Sequence, residues 1–370
     1  MIELKENIYS VGVTDSKIRI FHGYEVPFGT TYNAYLVIDD KITLVDFVKA
    51  SFNDEFIKNI KEVLGDKKID YMICNHVEPD HSGAMPELVR QYPEAIVIGT
   101  ASCQKELAVY YPELKLNFQV VKAGDSISTG KFNFDFIPMP MIHWPDSMST
   151  YLREEKILFS NDAMGQHIAS GKVYDTEIGL DTFLERAGDY YANIVLPYGS
   201  QVSKLLETVS KLEIAMVCPS HGVIITEYIP VIVEKYSAWC KNIVDDQKCV
   251  IIYDTMWGTT EKLANILEEE SKAKGLSVEK INLSQKHYSY AMGRILEVKY
   301  IFVGSPTLNN EMMPTVSAFL TYMKGLRPQN RCGKAFGSYG WSGESISKVS
   351  DVLVSCGFEI LESLKAQWNV

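Results

Sequence analysis

The sequence predicts a two-domain α/β protein. Three observations carry that expectation: a β-rich opening, a helix-and-strand alternation through the next two hundred residues, and a second alternation that starts afresh after an acidic stretch. At 370 residues the chain also exceeds what one hydrophobic core usually organises.

The opening comes first. NIYSVGV, KIRIFHGYEV, TTYNAYLVID and KITLVDFV are β-rich runs separated by Asp, Gly and Lys. From residue 51, helical patterns such as FNDEFIKNIKEVLG alternate with the short apolar strands YMIC, AIVIGT, FDFIPM, KILFS and IAMVCPS, so helices should cover a mixed sheet. CKNIVDDQKC, residues 240–249, is polar and acidic and places the boundary, giving domains at 1–247 and 248–370. Beyond it the pattern predicts strands at 249–254, 278–283, 299–304, 333–339 and near 359–368. Helices are expected at 259–274, near 286–297, at 314–325 and at 343–356, the order of a doubly wound parallel sheet.

Composition narrows the partners. A formal charge of -11 argues against nucleic acid and anionic membrane, both of which select for excess Lys and Arg. No stretch approaches the ~20 apolar residues of a membrane span, and MIELKENIYSVG has no apolar leader, so a cytoplasmic location is expected. The cysteines, at 74, 103, 218, 240, 249, 332 and 356, never form C-x-x-C, which leaves no zinc ribbon or fused rubredoxin-type site.

The densest chemistry is NHVEPDHSG, residues 75–83, directly after the strand YMIC. It offers His76, Glu78, Asp80 and His81 on one tight turn shaped by Pro79 and Gly83. Three further residues share a strand-end placement: His143 after FDFIPMPMI, Asp162 after KILFSN and His221 after IAMVCPS. Side chains at neighbouring strand ends converge on one sheet edge, so these seven suffice for two metals. A lone strand-end His is more often a surface or capping residue. Carboxylate mixed with imidazole suits non-haem iron better than the imidazole and thiolate sets of zinc.

A second kind of site is written after residue 250. YDTMWGTTEK lies between a strand and an apolar-periodic helix, where Thr255, Thr259, Thr260 and Gly258 could cradle one phosphate at a helix N-terminus. Neither G-x-G-x-x-G nor the P-loop pattern is present, which disfavours dinucleotide and nucleoside triphosphate. GSPTLNNEMMP and GSYGWSGES follow later strands at the same carboxyl edge. Trp257, Tyr339 and Trp341 can cover an aromatic ring system, and FMN meets these demands. The expected contacts are Thr255, Met256, Trp257, Gly258, Thr259 and Thr260 in the first loop. Ser305, Pro306, Thr307, Leu308, Asn309 and Asn310 form the second, and Ser338, Tyr339, Gly340, Trp341, Ser342 and Gly343 the third.

In combination, RIFHGYEVPFGTTYNAYL, NHVEPDHSG, MIHWPDSM, FSNDAMGQH, CPSHG and the three later loops resemble the flavodiiron proteins, also called A-type flavoproteins, over nearly the whole chain. The resemblance implies a metallo-β-lactamase-like αββα sandwich holding a non-haem diiron centre, followed by a flavodoxin-like domain holding FMN. It assigns His76, Glu78 and His143 to one iron, Asp80, His81 and His221 to the other, and Asp162 to a bridge. Hydrolases of the metallo-β-lactamase kind carry His at the place of Glu78 and usually hold zinc. His22, His167 and Tyr191 resemble residues lining the substrate pocket.

The implied activity is reduction of O2 to water or of NO to N2O, in detoxification, with a separate electron donor such as rubredoxin or reduced coenzyme F420. The implied assembly is a head-to-tail homodimer, possibly a tetramer. A departure from the resemblance is the end at LESLKAQWNV, which lacks the closing helix of a flavodoxin-like fold. Two other readings stand: a dinuclear zinc hydrolase with an appended flavodoxin-like module, and an electron-transfer flavoprotein whose metal domain is only scaffold.

Overall fold

The computed structural model describes residues 1–369. The chain separates into two compact units, one comprising Met1–Arg19, Val26–Ala187 and Ser200–Glu234, the other Ile20–Glu25, Gly188–Gly199 and the chain from Lys235 onward.

The first unit contains two β-sheets. A seven-stranded sheet runs in the order Ile2–Lys5, Ile8–Ser10, Tyr35–Val37, Thr43–Val45, Tyr71–Ile73, Ile96–Gly99, Phe118–Val120. Its first members pair antiparallel, and from Thr43–Val45 onward the pairs are parallel. A five-stranded sheet runs Ser126–Ser128, Asn133–Pro138, Met148–Leu152, Ile157–Asn161, Met216–Pro219, its last pair parallel.

One core joins the two sheets. Tyr35, Val45, Ile73 and Ile98 from the first meet Phe134, Phe136, Phe159 and Cys218 from the second. The Tyr35 and Phe159 rings lie 5.1 Å apart, and the Tyr35 hydroxyl is accommodated inside by donating to the Pro219 carbonyl at 2.8 Å. Helices take the outer faces. Helix Asn53–Leu64 buries Phe56, Ile60 and Leu64, which the i, i+4 spacing places on one stripe. Helix Ala101–Tyr110 starts where the Thr100 hydroxyl accepts the Cys103 N–H. This is the expected αββα sandwich.

In the second unit five parallel strands run in the order Ser277–Asn282, Asp245–Tyr253, Val298–Gly304, Cys332–Tyr339, Glu359–Gln367. Helices Thr259–Ala273, Tyr288–Arg294, Pro314–Leu326 and Glu344–Ser355 alternate with them, close to the predicted spans. The first strand begins at Asp245 rather than 249, because Asp245 pairs with Val298 ahead of an irregularity in register. An acidic stretch can thus be strand when its exposed end still finds a neighbour.

The hairpin Ile20–Phe21 with Tyr24–Glu25 belongs to this second unit. The Glu25 N–H donates to Ser289 Oγ at 3.0 Å and the Tyr288 hydroxyl donates to the Gly23 carbonyl at 2.8 Å. Strand Glu359–Gln367 is the last element among the described residues. Leu361, Leu364 and Ala366 on it, with Val278 and Tyr300, are only partly buried against the core of Cys249, Ile251, Leu263 and Leu267. No helix of the described residues is long and apolar enough to cross a membrane, and all seven cysteines are free thiols.

Candidate metal centre and flavin pocket

Strand ends of the first unit deliver the metal-ligating side chains. Tyr71–Ile73 leads into a short helical turn, Pro79–Ser82, that carries Asp80 and His81. Gly83 closes this turn because a Cβ there would stand 2.4 Å from the Pro79 carbonyl and 2.6 Å from the Ala50 nitrogen. Asp162 and His221 follow the parallel strands Ile157–Asn161 and Met216–Pro219, and His143 lies beyond Asn133–Pro138.

The seven meet as two groups. His76, Glu78, His143 and Asp162 bring one donor atom each to a common point, and so do Asp80, His81 and His221. In the first group His143 Nε2 lies 3.2 Å from both Glu78 Oε2 and Asp162 Oδ2, and His76 Nε2 lies 3.3 Å from Glu78 Oε2 and 3.6 Å from Asp162 Oδ2. In the second, Asp80 Oδ2 stands 3.2 Å from the Nε2 atoms of both His81 and His221. Asp162 Oδ1 stands 3.1 Å from His81 Nε2 and 3.6 Å from His221 Nε2. Asp162 therefore turns one oxygen to each group.

These separations fit metal ions. Nitrogen and oxygen ligands about 2.1 Å from one ion stand roughly 3.0–3.5 Å from one another, which is the spacing seen. Charge agrees with geometry, since three carboxylates are gathered where His76, His81, Asp162 and His221 are fully buried. Burial opposes protonation of His76, but its hydrogen bonds to Asp146 and Glu78 outweigh it and hold the pKa well above the histidine range. His81, likewise opposed by burial, is pushed up to about 9 by Asp80 and Asp162. Burial alone would raise Asp162, yet His81 and His143 hold it well below the carboxylate range. A pocket with this field attracts cations.

The outward nitrogens are held as well. Both oxygens of Asp146 lie within 3.1–3.2 Å of His76 Nδ1, and Oδ2 also accepts the Val77 N–H at 2.8 Å. His221 Nδ1 donates to the Thr31 carbonyl at 2.7 Å. Each contact leaves Nε2 as the nitrogen directed at a metal. Underneath, buried Asp46 accepts from the backbone and side-chain nitrogens of Asn75 and from Asn161, which fixes the strand end before His76. Asp146 and Asp46 went unassigned in the sequence. Asp146 stands inside MIHWPDSM, but nothing in its spacing from His76, 70 positions away, marks the contact.

The three residues expected near the substrate are placed as follows. His167 lies in the first unit, with Nδ1 2.7 Å from the Thr30 hydroxyl and its ring 4.6 Å from that of His221. His22 sits on the hairpin of the second unit at φ 51°, its ring stacked on Phe21 at 3.9 Å. Tyr191, also in the second unit, is fully buried against Tyr236 and Trp239, with ring centroids 4.9 and 5.1 Å away.

At the carboxyl edge of the parallel sheet lies a pocket of about 300 Å³ lined by Met256, Trp257, Thr259, residues 306–310, residues 338–342 and Trp368. All three loops expected to hold FMN meet here. Gly258 caps helix Thr259–Ala273 at φ 83°, and its N–H donates to Thr255 Oγ1. Thr260 and Ser305 are fully buried. The Thr260 hydroxyl is 2.8 Å from that of Ser338, and Ser305 Oγ accepts the Met313 N–H. The first contact ties two loops together and the second folds the middle loop on itself, and neither Thr260 and Ser305 nor Thr255, Gly258 and Gly343 line the cavity itself. The rim is aromatic and open: Trp257 is 91%, Trp341 84% and Trp368 66% exposed. Trp368 was not expected, because it stands beyond the last strand with no loop motif around it.

Comparison with known proteins agrees with both halves. Residues 30–222 match the ODP family beta lactamase and residues 251–370 match flavodoxin. A nitric oxide reductase of Moorella thermoacetica is 40% identical, over 97% of this chain and 91% of that protein. The structure of rubredoxin oxygen:oxidoreductase from Desulfovibrio gigas superposes with a TM-score of 0.97 at 39% identity, covering 100% of this chain and 93% of that one. The flavodiiron protein of Giardia intestinalis follows at 0.94 and 31%, covering 99% and 91%.

A β-lactamase-type sandwich bearing a two-group metal site, in one chain with a flavodoxin sheet, defines an oxidoreductase that joins metal to flavin. The chain belongs to the flavodiiron proteins. Its cofactors are FMN and a non-haem diiron centre. The zinc-hydrolase reading is set aside by these relatives.

Proposed function

We propose that this protein reduces O2 to water or NO to N2O at a diiron centre resupplied by FMN. The observation that carries the reading is Asp162, whose two oxygens face two separate donor groups, one of them containing Glu78. On this reading His76, Glu78 and His143 hold one iron, Asp80, His81 and His221 hold the other, and Asp162 bridges. The names of the relatives, a nitric oxide reductase and a rubredoxin oxygen:oxidoreductase, support the same substrates.

When bound, the irons supply two electrons together and the flavin replaces them. The chain's own contribution is arrangement. Asp146 and the Thr31 carbonyl keep His76 and His221 in one orientation, and complete burial of His76, His81 and Asp162 excludes bulk water. His167, held by Thr30, would offer a proton or hydrogen bond to the bound gas. His22 and Tyr191, which the resemblance groups with it, belong to the second unit, where Tyr191 is packed against Tyr236 and Trp239, and are given no part in this step. In the second unit the three loops would hold FMN, with Thr259 in the pocket towards its phosphate, Thr255, Gly258 and Thr260 bracing that loop from behind, and Trp257, Tyr339 and Trp341 against its ring.

Electrons come from a separate donor, rubredoxin or reduced coenzyme F420. The exposed rim of Trp257, Trp341 and Trp368 is the surface a second copy of the chain would cover in a head-to-tail dimer. The protein would act in the cytoplasm. Anaerobic stopped-flow of the reduced enzyme against O2 and against NO tests the reading, with metal and flavin analysis of the same preparation. Zinc at both sites without flavin, or no reaction with either gas, would overturn it. Sedimentation of an active monomer would remove the dimer.

A further inference from the structure

Trp144 follows His143 directly and adjoins two of the metal-ligating histidines. Its indole centroid is 5.1 Å from the His76 ring at 86° and 6.2 Å from the His143 ring at 76°. Beyond it, the Tyr110 ring lies 6.4 Å away and nearly parallel, at 16°. Tyr110 is 42% exposed, so the line of rings runs from the ligands to solvent. Aromatic rings this close exchange single electrons readily, and indole and phenol are the aromatic side chains that can lose one. The contrasting case is Tyr32, 6.0 Å from His221, which is fully buried and next adjoins Phe52, a ring that does not pass an electron on.

From this we propose that Trp144 and Tyr110 form a one-electron path that completes O2 reduction when flavin electrons are lacking, sparing the ligands from oxidation. The proposal rests on the O2-reducing function assigned above. Reduction of O2 to two waters takes four electrons and four protons, and the two ferrous ions hold only two electrons. With the flavin oxidised, the deficit is met one electron at a time. Trp144 gives an electron towards the site, and Tyr110 refills Trp144 while its phenolic proton passes to solvent. A thiol in solution then restores Tyr110. In sum, O2, two ferrous ions, two thiols and two protons give two waters, two ferric ions and one disulfide, so atoms and electrons balance.

The test compares two preparations of the full chain, each mixed with O2 after anaerobic loading: reduced holoenzyme, and the same chain with ferrous iron but no FMN. Freeze-quench EPR and peptide mass spectrometry are read on both. The expected result is a tyrosyl radical and oxidised Tyr110 peptide only in the FMN-free sample. Tyr110→Phe should lose that signal and shift oxidation to Trp144 or the histidines, while its reduced holoenzyme consumes O2 at the unaltered rate. Trp144→Phe with full iron content should lose the Tyr110 radical. If Trp144→Phe fails to load iron, Tyr110→Phe decides alone. O2 consumption by holoenzyme with no Trp or Tyr radical or modification in the FMN-free sample overturns the path. Failure of the holoenzyme to consume O2 overturns the function beneath it.

Discussion

The metal centre and the flavin pocket are built on opposite plans. At the centre His76, His81, Asp162 and His221 are fully buried, and outer contacts hold the His76 and His221 rings. The flavin pocket has buried hydroxyls behind its lining, Thr260 and Ser305, but its rim of Trp257, Trp341 and Trp368 stands in solvent. The difference follows from the ligands. An ion of high charge needs close oxygen and nitrogen donors fixed before it arrives, whereas a large planar ring gains most from area that can adjust around it.

Substitutions can break or sharpen this contrast. The largest effect is expected from Asp162→Asn, which puts an amide nitrogen where an oxygen faces one donor group; iron analysis should show loss of paired metal and gas reduction should cease. Asp146→Asn comes next. It leaves the ligands in place but weakens the hold on His76 Nδ1, so iron affinity should fall about 10–100-fold, read by competition with a chelator. An unchanged affinity would mean that His76 is oriented by packing alone.

At the flavin pocket, Trp341→Ala should weaken FMN binding by only about 1–3 kcal/mol, the usual cost of removing an aromatic side chain on which a base stacks, measured by fluorescence titration. A loss as large as that at Asp162 would show the rim to be prearranged too. The smallest effect concerns Glu106, whose pKa burial and the neighbouring Asp146 raise to about 7. An acid raised in the folded state favours folding while protonated and loses that contribution as pH climbs from its unfolded value through 7. Glu106→Gln should therefore raise Tm relative to wild type at pH 8 and leave it little changed at pH 4; equal shifts at both would refute the titration.

Much of the metal site was legible because its residues are of a few recognisable types and sit at strand ends. His76, Glu78, Asp80 and His81 come from one turn, and the apolar runs before His143, Asp162 and His221 announce where each emerges. Asp146 was not legible, since a carboxylate that orients a ligand looks like any other acid until the chain is folded. The flavin loops could be read from Gly, Thr and Trp after successive strands. The inward turn of Thr260 and Ser305, and the arrival of Trp368, depend on packing between loops. The change in composition that suggested a boundary at 247 lies inside the second unit, which takes the chain from Lys235 onward. The company kept by residues 20–25 and 188–199 was not legible, because association across long stretches of chain leaves no local mark.

That last feature bears on how the protein comes into being. The N–H of Glu25 meets Ser289 across 264 positions, so one of the earliest segments made has to wait for one of the last. Long-range closure of this kind slows folding and prolongs exposure of unfinished surfaces. During synthesis, the hairpin bearing His22 would emerge well before its anchor exists. A nascent chain stalled ahead of Ser289 would lack that hold on the hairpin, however complete the sandwich that precedes it.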